Sequence, residues 1–138
     1  MAFSESNLLL KVKISALWIF MDFALLLLLM LNAFDPTGGM KEMIASFPSQ
    51  LAPLVLLGGA IILLVPFVIA FLSLTMKDPA NRRANLILGS AFTVFQFSGV
   101  AYALSRLAVQ YAYLLFLQTA AFVAPALIVW HAYRWRIG

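Results

Sequence analysis

One acidic residue lies within a long apolar stretch of the sequence. Asp22 falls about halfway along the hydrophobic run that follows Lys13. If that run crosses a membrane, a charged side chain at its centre costs roughly 2.5–3.5 kcal/mol on insertion scales. Such a cost suggests a proton site or a ligand for a passing cation. A structural role is equally open, in which a protonated Asp22 hydrogen-bonds to a neighbouring amide and holds helices together.

Possible partners for Asp22 occur in two later apolar stretches. At 1.5 Å per residue, four polar residues are expected near the depth of Asp22; these are Thr93, Gln96, Gln118 and Thr119. With Asp22 they form the predicted substrate- or ion-binding site inside a helix bundle. We expect Gln96 or Gln118 within hydrogen-bond reach of Asp22, directly or through one water. For small residues such as Gly89 and Thr93, close helix packing is the commoner role.

Two prolines also fall inside apolar stretches, Pro66 near the middle of one and Pro125 past the middle of another. Each removes one backbone hydrogen bond and exposes a carbonyl group. Carbonyls freed in this way can line an ion path, although kinks that only shape the bundle are commoner.

The composition gives little support to metal or enzyme chemistry. The chain has no Cys and one His, which excludes disulfides, thiolate metal sites and a bis-histidine haem within one chain. His131 lies beside Trp130 and Arg134, where a contact with lipid headgroups is the expected role. Because no loop acid shares the depth of Asp22, a pair of catalytic carboxylates is missing. We therefore expect no cofactor, no bound metal and no enzyme acting alone.

The high hydrophobic content of the chain predicts the membrane helices that hold these residues. Of the 138 residues, 64% are hydrophobic and 10% are charged, against roughly 45–50% and 25% in soluble domains. This excess predicts an integral membrane protein in contact with lipid. The net charge of +4 is typical of cytoplasmic anchors and does not indicate a nucleic-acid partner.

Four stretches are long enough to cross a bilayer core of roughly 30 Å. The sequence predicts an all-α, single-domain bundle of four transmembrane helices spanning residues 1–138, with helices over about 14–34, 51–76, 79–106 and 111–133. Ser49 is the predicted N-cap of the second helix, and Asp78 that of the third. Met40, Met43, Ile44 and Phe47 recur at helical spacing, so residues 40–47 form either a short interfacial helix or a loop packed over the bundle.

The charges at the ends of the stretches predict orientation. Seven basic residues fall on one side and two on the other, Lys11, Lys13, Lys77, Arg82, Arg83, Arg134 and Arg136 against Lys41 and Arg106. The positive-inside rule places both termini in the cytoplasm, in a multi-pass protein of the cell (inner) membrane. A cleaved signal peptide is disfavoured, because the first stretch exceeds a 7–15-residue hydrophobic region and contains Asp22.

Three segments, residues 14–20, 81–89 and 129–135, carry a family resemblance: Ile-Ser-Ala-Leu-Trp-Ile-Phe, Asn-Arg-Arg-Ala-Asn-Leu-Ile-Leu-Gly and Val-Trp-His-Ala-Tyr-Arg-Trp. The chain resembles a family of small prokaryotic four-helix membrane proteins of unknown function. The resemblance implies four membrane helices and no assigned activity. It also implies polar or acidic residues in the fourth helix near residues 118–121, where this chain has no acid.

Two functions remain open at this point. The first is an oligomeric channel or transporter-like protein for a small solute, ion or proton, with Asp22 at its site. The second is a non-catalytic interaction or lipid-binding subunit of a larger membrane complex. Either function implies a homo-oligomer or a membrane-protein partner.

Overall fold

The computed structural model describes residues 5–34, 45–105 and 112–135. Four helices account for nearly all of them, and no strand occurs in these ranges: α1 (Glu5–Ala33), α2 (Ala52–Thr75), α3 (Asp78–Ser105) and α4 (Ala112–Arg134). Each is long and apolar enough to cross a membrane. The predicted all-α class and the four candidate membrane spans are confirmed. This is a multi-pass membrane protein.

Helix boundaries differ from the prediction mainly at the start of α1. The helix begins at Glu5 rather than near residue 14, because lysine is a good helix former and the bilayer surface does not end a helix. The predicted N-cap at Ser49 is wrong. Leu51 occupies the cap position without a side-chain hydrogen bond, and Pro53 lies in the first turn, where its missing N–H costs little.

The helices form a bundle in which α1 packs against α2 and α4, and α4 packs against α3. Although α2 and α3 are consecutive, they contact each other sparsely. The buried positions of α1 recur at alternating spacings of three and four residues, as in coiled coils; they include Lys11, Ile14, Trp18, Met21, Leu25 and Leu28. The face of α4 that meets them is rich in alanine, which lets the helices approach closely.

The start of α1 and the end of α4 lie at the same end of the bundle. Lys11 contacts the carbonyl of Met76 after α2, and Arg82 near the start of α3 contacts the carbonyl of Ala132 in α4. At the opposite end, the Tyr113 hydroxyl donates to the Asn32 side chain. Four antiparallel passes along the bundle bring the end of α4 back to the end where α1 begins. Most of the predicted interfacial helix over residues 40–47 lies outside the described residues.

Candidate functional site

The Asp22 side chain is fully buried in the bundle, with 0% of its surface exposed. The prediction that Asp22 faces the interior rather than lipid is confirmed. Neither carboxyl oxygen has a hydrogen-bond partner among the described residues. A buried polar group without a partner is costly in an apolar environment, so this carboxyl group is not explained by local packing alone.

Gln96 and Gln118, here called the amide pair, are both buried between α3 and α4. The Gln118 Nε2 donates to the Gln96 Oε1 at 2.6 Å, and the Gln96 Nε2 has no acceptor in the described part of the chain. Gly99 provides the space for this contact, because a Cβ atom at that position would overlap the Gln118 amide. The amide pair therefore joins α3 to α4.

Asp22 and the amide pair lie at different heights in the bundle. The Lys11 Nζ lies 2.8 Å from the Asp78 Oδ1, and the Trp18 Nε1 donates to the Asn85 Oδ1 at 2.6 Å. The two pairs have the same sequence separation of 67 residues (78 − 11 and 85 − 18). Extending this register places Asp22 level with residue 89.

The register explains why the expected direct hydrogen bond is absent. Gln96 lies seven residues beyond residue 89 of α3, which is about 10 Å along the helix axis. The predicted direct bond from Asp22 to Gln96 or Gln118 is therefore wrong. Contact through a water stays a prediction. Trp18 lies four residues before Asp22 on α1, but its partner Asn85 lies eleven residues before Gln96 on α3, so the two side chains cannot be at one height.

The two threonines of the predicted site form hydrogen bonds within their own helices. The Thr93 hydroxyl donates to the Gly89 carbonyl at 2.7 Å, and the Thr119 hydroxyl donates to the Leu115 carbonyl at 2.7 Å. Thr93 is half-buried and Thr119 is exposed. Of the five predicted residues, Asp22, Gln96 and Gln118 occupy the interior, and Thr119 does not.

The prolines Pro66 and Pro125 are both fully buried and lie close to the height of Asp22. In α4, the Pro125 carbonyl oxygen would lie 3.7 Å from a Cβ atom on Gly89, the residue level with Asp22. Because α2 runs antiparallel to α1 and α3, the residues of α2 level with Asp22 can be counted back from two contacts. The Lys11–Met76 contact gives residue 65, and the Ser73–Asn85 contact gives residue 69. The sequence showed both prolines but not that the fold brings them to one level.

A second polar group, the asparagine cluster, was missed by the sequence analysis. It consists of Trp18, Ser73, Asn81 and Asn85, all buried. The Asn85 Nδ2 donates to the Asn81 Oδ1 at 2.6 Å and to the Ser73 Oγ at 3.2 Å, while its Oδ1 accepts the Trp18 indole N–H. The available signal was the i, i+4 spacing of the two asparagines, which places both on one face of α3.

A third group, the end cluster, lies at the end of the bundle where α1 and α3 begin. It consists of Asn7, Lys11 and Asp78. Lys11 is 1% exposed and donates to the Met76 carbonyl at 2.9 Å as well as pairing with Asp78. The Asn7 Nδ2 donates to the Asp78 Oδ2 at 2.8 Å. From the sequence, Lys11 was expected at the membrane surface together with six other basic residues, but in the structure its side chain is buried.

Together these groups form a line along the bundle axis. In order, the line passes the end cluster, the asparagine cluster, Asp22 and the amide pair. From Asp78 to Gln96 it follows α3 over 18 residues, about 27 Å. No cluster of three or more His, Cys, Asp or Glu residues occurs in the described ranges.

Comparison with known proteins adds no assignment: no family model, curated protein or solved structure matches this chain. The resemblance to small four-helix membrane proteins stays a prediction.

Proposed function

We propose that this protein moves a proton or a small cation across the membrane, with Asp22 as the intramembrane site. The observation that carries the proposal is the Asp22 carboxyl group, fully buried midway along α1 with no hydrogen-bond partner among the described residues. A residue that served only to hold helices together would bond to a neighbouring amide. An unpartnered acid at this depth is typical of proton and ion pathways.

The line of polar groups supports a path to this site. The asparagine cluster ends one turn of α1 before Asp22, and the amide pair lies about 10 Å beyond it. Side-chain hydrogen bonds connect the groups within each cluster. Transfer between them requires water or side-chain motion.

The predicted orientation gives this path a direction. The end cluster lies at the end where most Lys and Arg residues occur, so we propose that it faces the cytoplasm, with both termini. The cell membrane is the proposed location.

The chain is also proposed to form a homo-oligomer. Four helices cannot enclose a wide pore, so a solute larger than an ion would pass only between protomers. Within one chain, α2 buries only Pro66, Ala70 and Ser73, and its other sides are apolar and partly or fully exposed. That surface is available for lipid or for another copy.

The same surface supports a second candidate function, a non-catalytic interaction or lipid-binding subunit of a larger membrane complex. The supporting observation is that α2, consecutive with α3, packs mainly against α1. This function requires no ion flux by the purified chain.

Flux through liposomes that contain only this protein tests the two candidates. An imposed membrane potential should drive cation or proton entry, reported by ion- and pH-sensitive dyes inside the vesicles. Protein-free vesicles carrying the same potential are the control. If no ion or proton gradient drives flux, the transport proposal is wrong and the subunit function is favoured.

A further inference from the structure

We infer that Asp22 and the main-chain carbonyls of Ile62 and Ala121 bind a dehydrated monovalent cation, of the class of Na⁺ or K⁺. The inference rests on the proposed function and deepens it, because it names the ion class that the Asp22 site takes up. Its ligands come from α1, α2 and α4.

The two carbonyls are released by proline. Proline has no N–H, so the carbonyl four residues before it loses its intrahelical donor. For Pro66 that carbonyl belongs to Ile62, and for Pro125 it belongs to Ala121. In membrane helices such carbonyls are tolerated where protein or a polar site satisfies them.

Both carbonyls belong to residues that share a helix face with a buried proline. Pro66 and Pro125 are fully buried, and residues four apart share one face of a helix. The register places Pro66 and Pro125 close to the height of Asp22. The released oxygens then lie within about one helical turn of that height, on the side toward the amide pair.

The chemistry of these ligands selects a cation. An ionised carboxylate and a carbonyl are acceptors only, so together they offer oxygen lone pairs and no donor. Hard cations prefer such oxygen ligands, and rings of main-chain carbonyls replace the hydration shell of K⁺ in channels.

The charge of the site selects a monovalent ion. One carboxylate neutralises one positive charge, whereas a divalent ion would leave a net charge in the apolar interior.

Equilibrium binding of radioactive sodium to the purified full chain in detergent tests the inference. We expect saturable binding, competition by K⁺ or Li⁺, and no competition by Ca²⁺ at equal concentration. Asp22→Asn should abolish binding while helix content and the melting temperature persist, because Asn keeps the volume but not the charge.

The proline variants test the carbonyls separately from the carboxyl group. Pro66→Ala and Pro125→Ala restore an N–H that engages the released carbonyl, and each should weaken sodium affinity about tenfold, or about 1.4 kcal/mol. The matched control is Pro53→Ala, which lies in the first turn of α2 and should leave affinity unchanged.

Each result separates this inference from the proposed function. Sodium binding without flux supports the site and contradicts transport. Proton flux without sodium or potassium binding supports transport and overturns the cation site. Competition by Ca²⁺, or an unchanged sodium affinity in both folded proline variants, also overturns the cation site.

Discussion

The Trp18 indole donates to the Asn85 Oδ1 at 2.6 Å, and the Trp18 ring meets the Phe92 ring edge-on at a centroid distance of 5.5 Å. These contacts join α1 to α3 through the bundle interior. The hydrogen bond has the same 67-residue separation as the Lys11–Asp78 pair, and these two contacts set the register that places Asp22 level with Gly89 and away from Gln96. The position of the candidate site therefore depends on a residue that is not part of it.

Asn85→Ala should destabilise the protein by about 2 kcal/mol. The change removes the acceptor of the Trp18 indole and the donor to Ser73 and Asn81, and buried groups left unpaired cost about 1–3 kcal/mol. Thermal or SDS unfolding in detergent measures the loss. Ser98→Ala is the control, because that exposed hydroxyl bonds only to Phe95 in its own helix. Equal stability of the two variants would contradict the structure.

Gly99→Ala should separate α3 from α4 at the amide pair, because the new methyl group would overlap the Gln118 side chain. We expect a loss of about 1–3 kcal/mol from overpacking. Gly59→Ala is the matched control, since a Cβ atom there meets nothing within 4 Å, and helix propensity favours alanine by up to about 1 kcal/mol. Melting temperatures should fall in the first variant and not in the second. The reverse order would show that Gln118 does not occupy the space beside Gly99.

Lys11→Met should lower stability more than Lys13→Met, although both remove one charge from the same turn of α1. Lys11 is buried against Asp78 and the Met76 carbonyl, whereas Lys13 is exposed. Breaking a buried ion pair costs about 3–5 kcal/mol, and the 22% exposure of Asp78 reduces this to about 2 kcal/mol. Unfolding in detergent measures both variants. Similar losses would place Lys11 at the surface.

Reporter fusions test the proposed orientation. Fusions after Gly138 and between Asp78 and Arg83 should give cytoplasmic signals, and a fusion near Ser46 should give an external signal, because of the seven-to-two distribution of basic residues. At each position, a reporter that is active only in the cytoplasm is compared with one that is active only outside it. A cytoplasmic signal at Ser46 would reverse the topology.

The sequence was sufficient for the number and approximate limits of the helices, because apolar length between charges is a direct consequence of bilayer thickness. It also predicted that Asp22 is buried, since an acid in contact with acyl chains has no partner. Helix ends were less accurate: α1 continues through Lys11 and Lys13 to Glu5, as no residue there breaks a helix.

The composition of the site was only partly predictable. Depth counted from helix ends placed Asp22 beside Gln96, but the actual register depends on contacts such as Trp18–Asn85 that join residues distant in sequence. Burial of Lys11 was missed because a lysine near a membrane face normally extends to the surface. Its partner Asp78 lies on another helix, so no local pattern indicated the pair.

Ion flux by Asp22→Asn and by the wild type, reconstituted in liposomes at equal protein density, shows whether transport uses the Asp22 carboxyl group. We expect flux for the wild type and for Thr119→Ala, whose side chain is exposed, and none for Asp22→Asn, with all three proteins equally folded. Equal flux by Asp22→Asn and the wild type would contradict the proposed function, because the path would then not use the Asp22 carboxyl group.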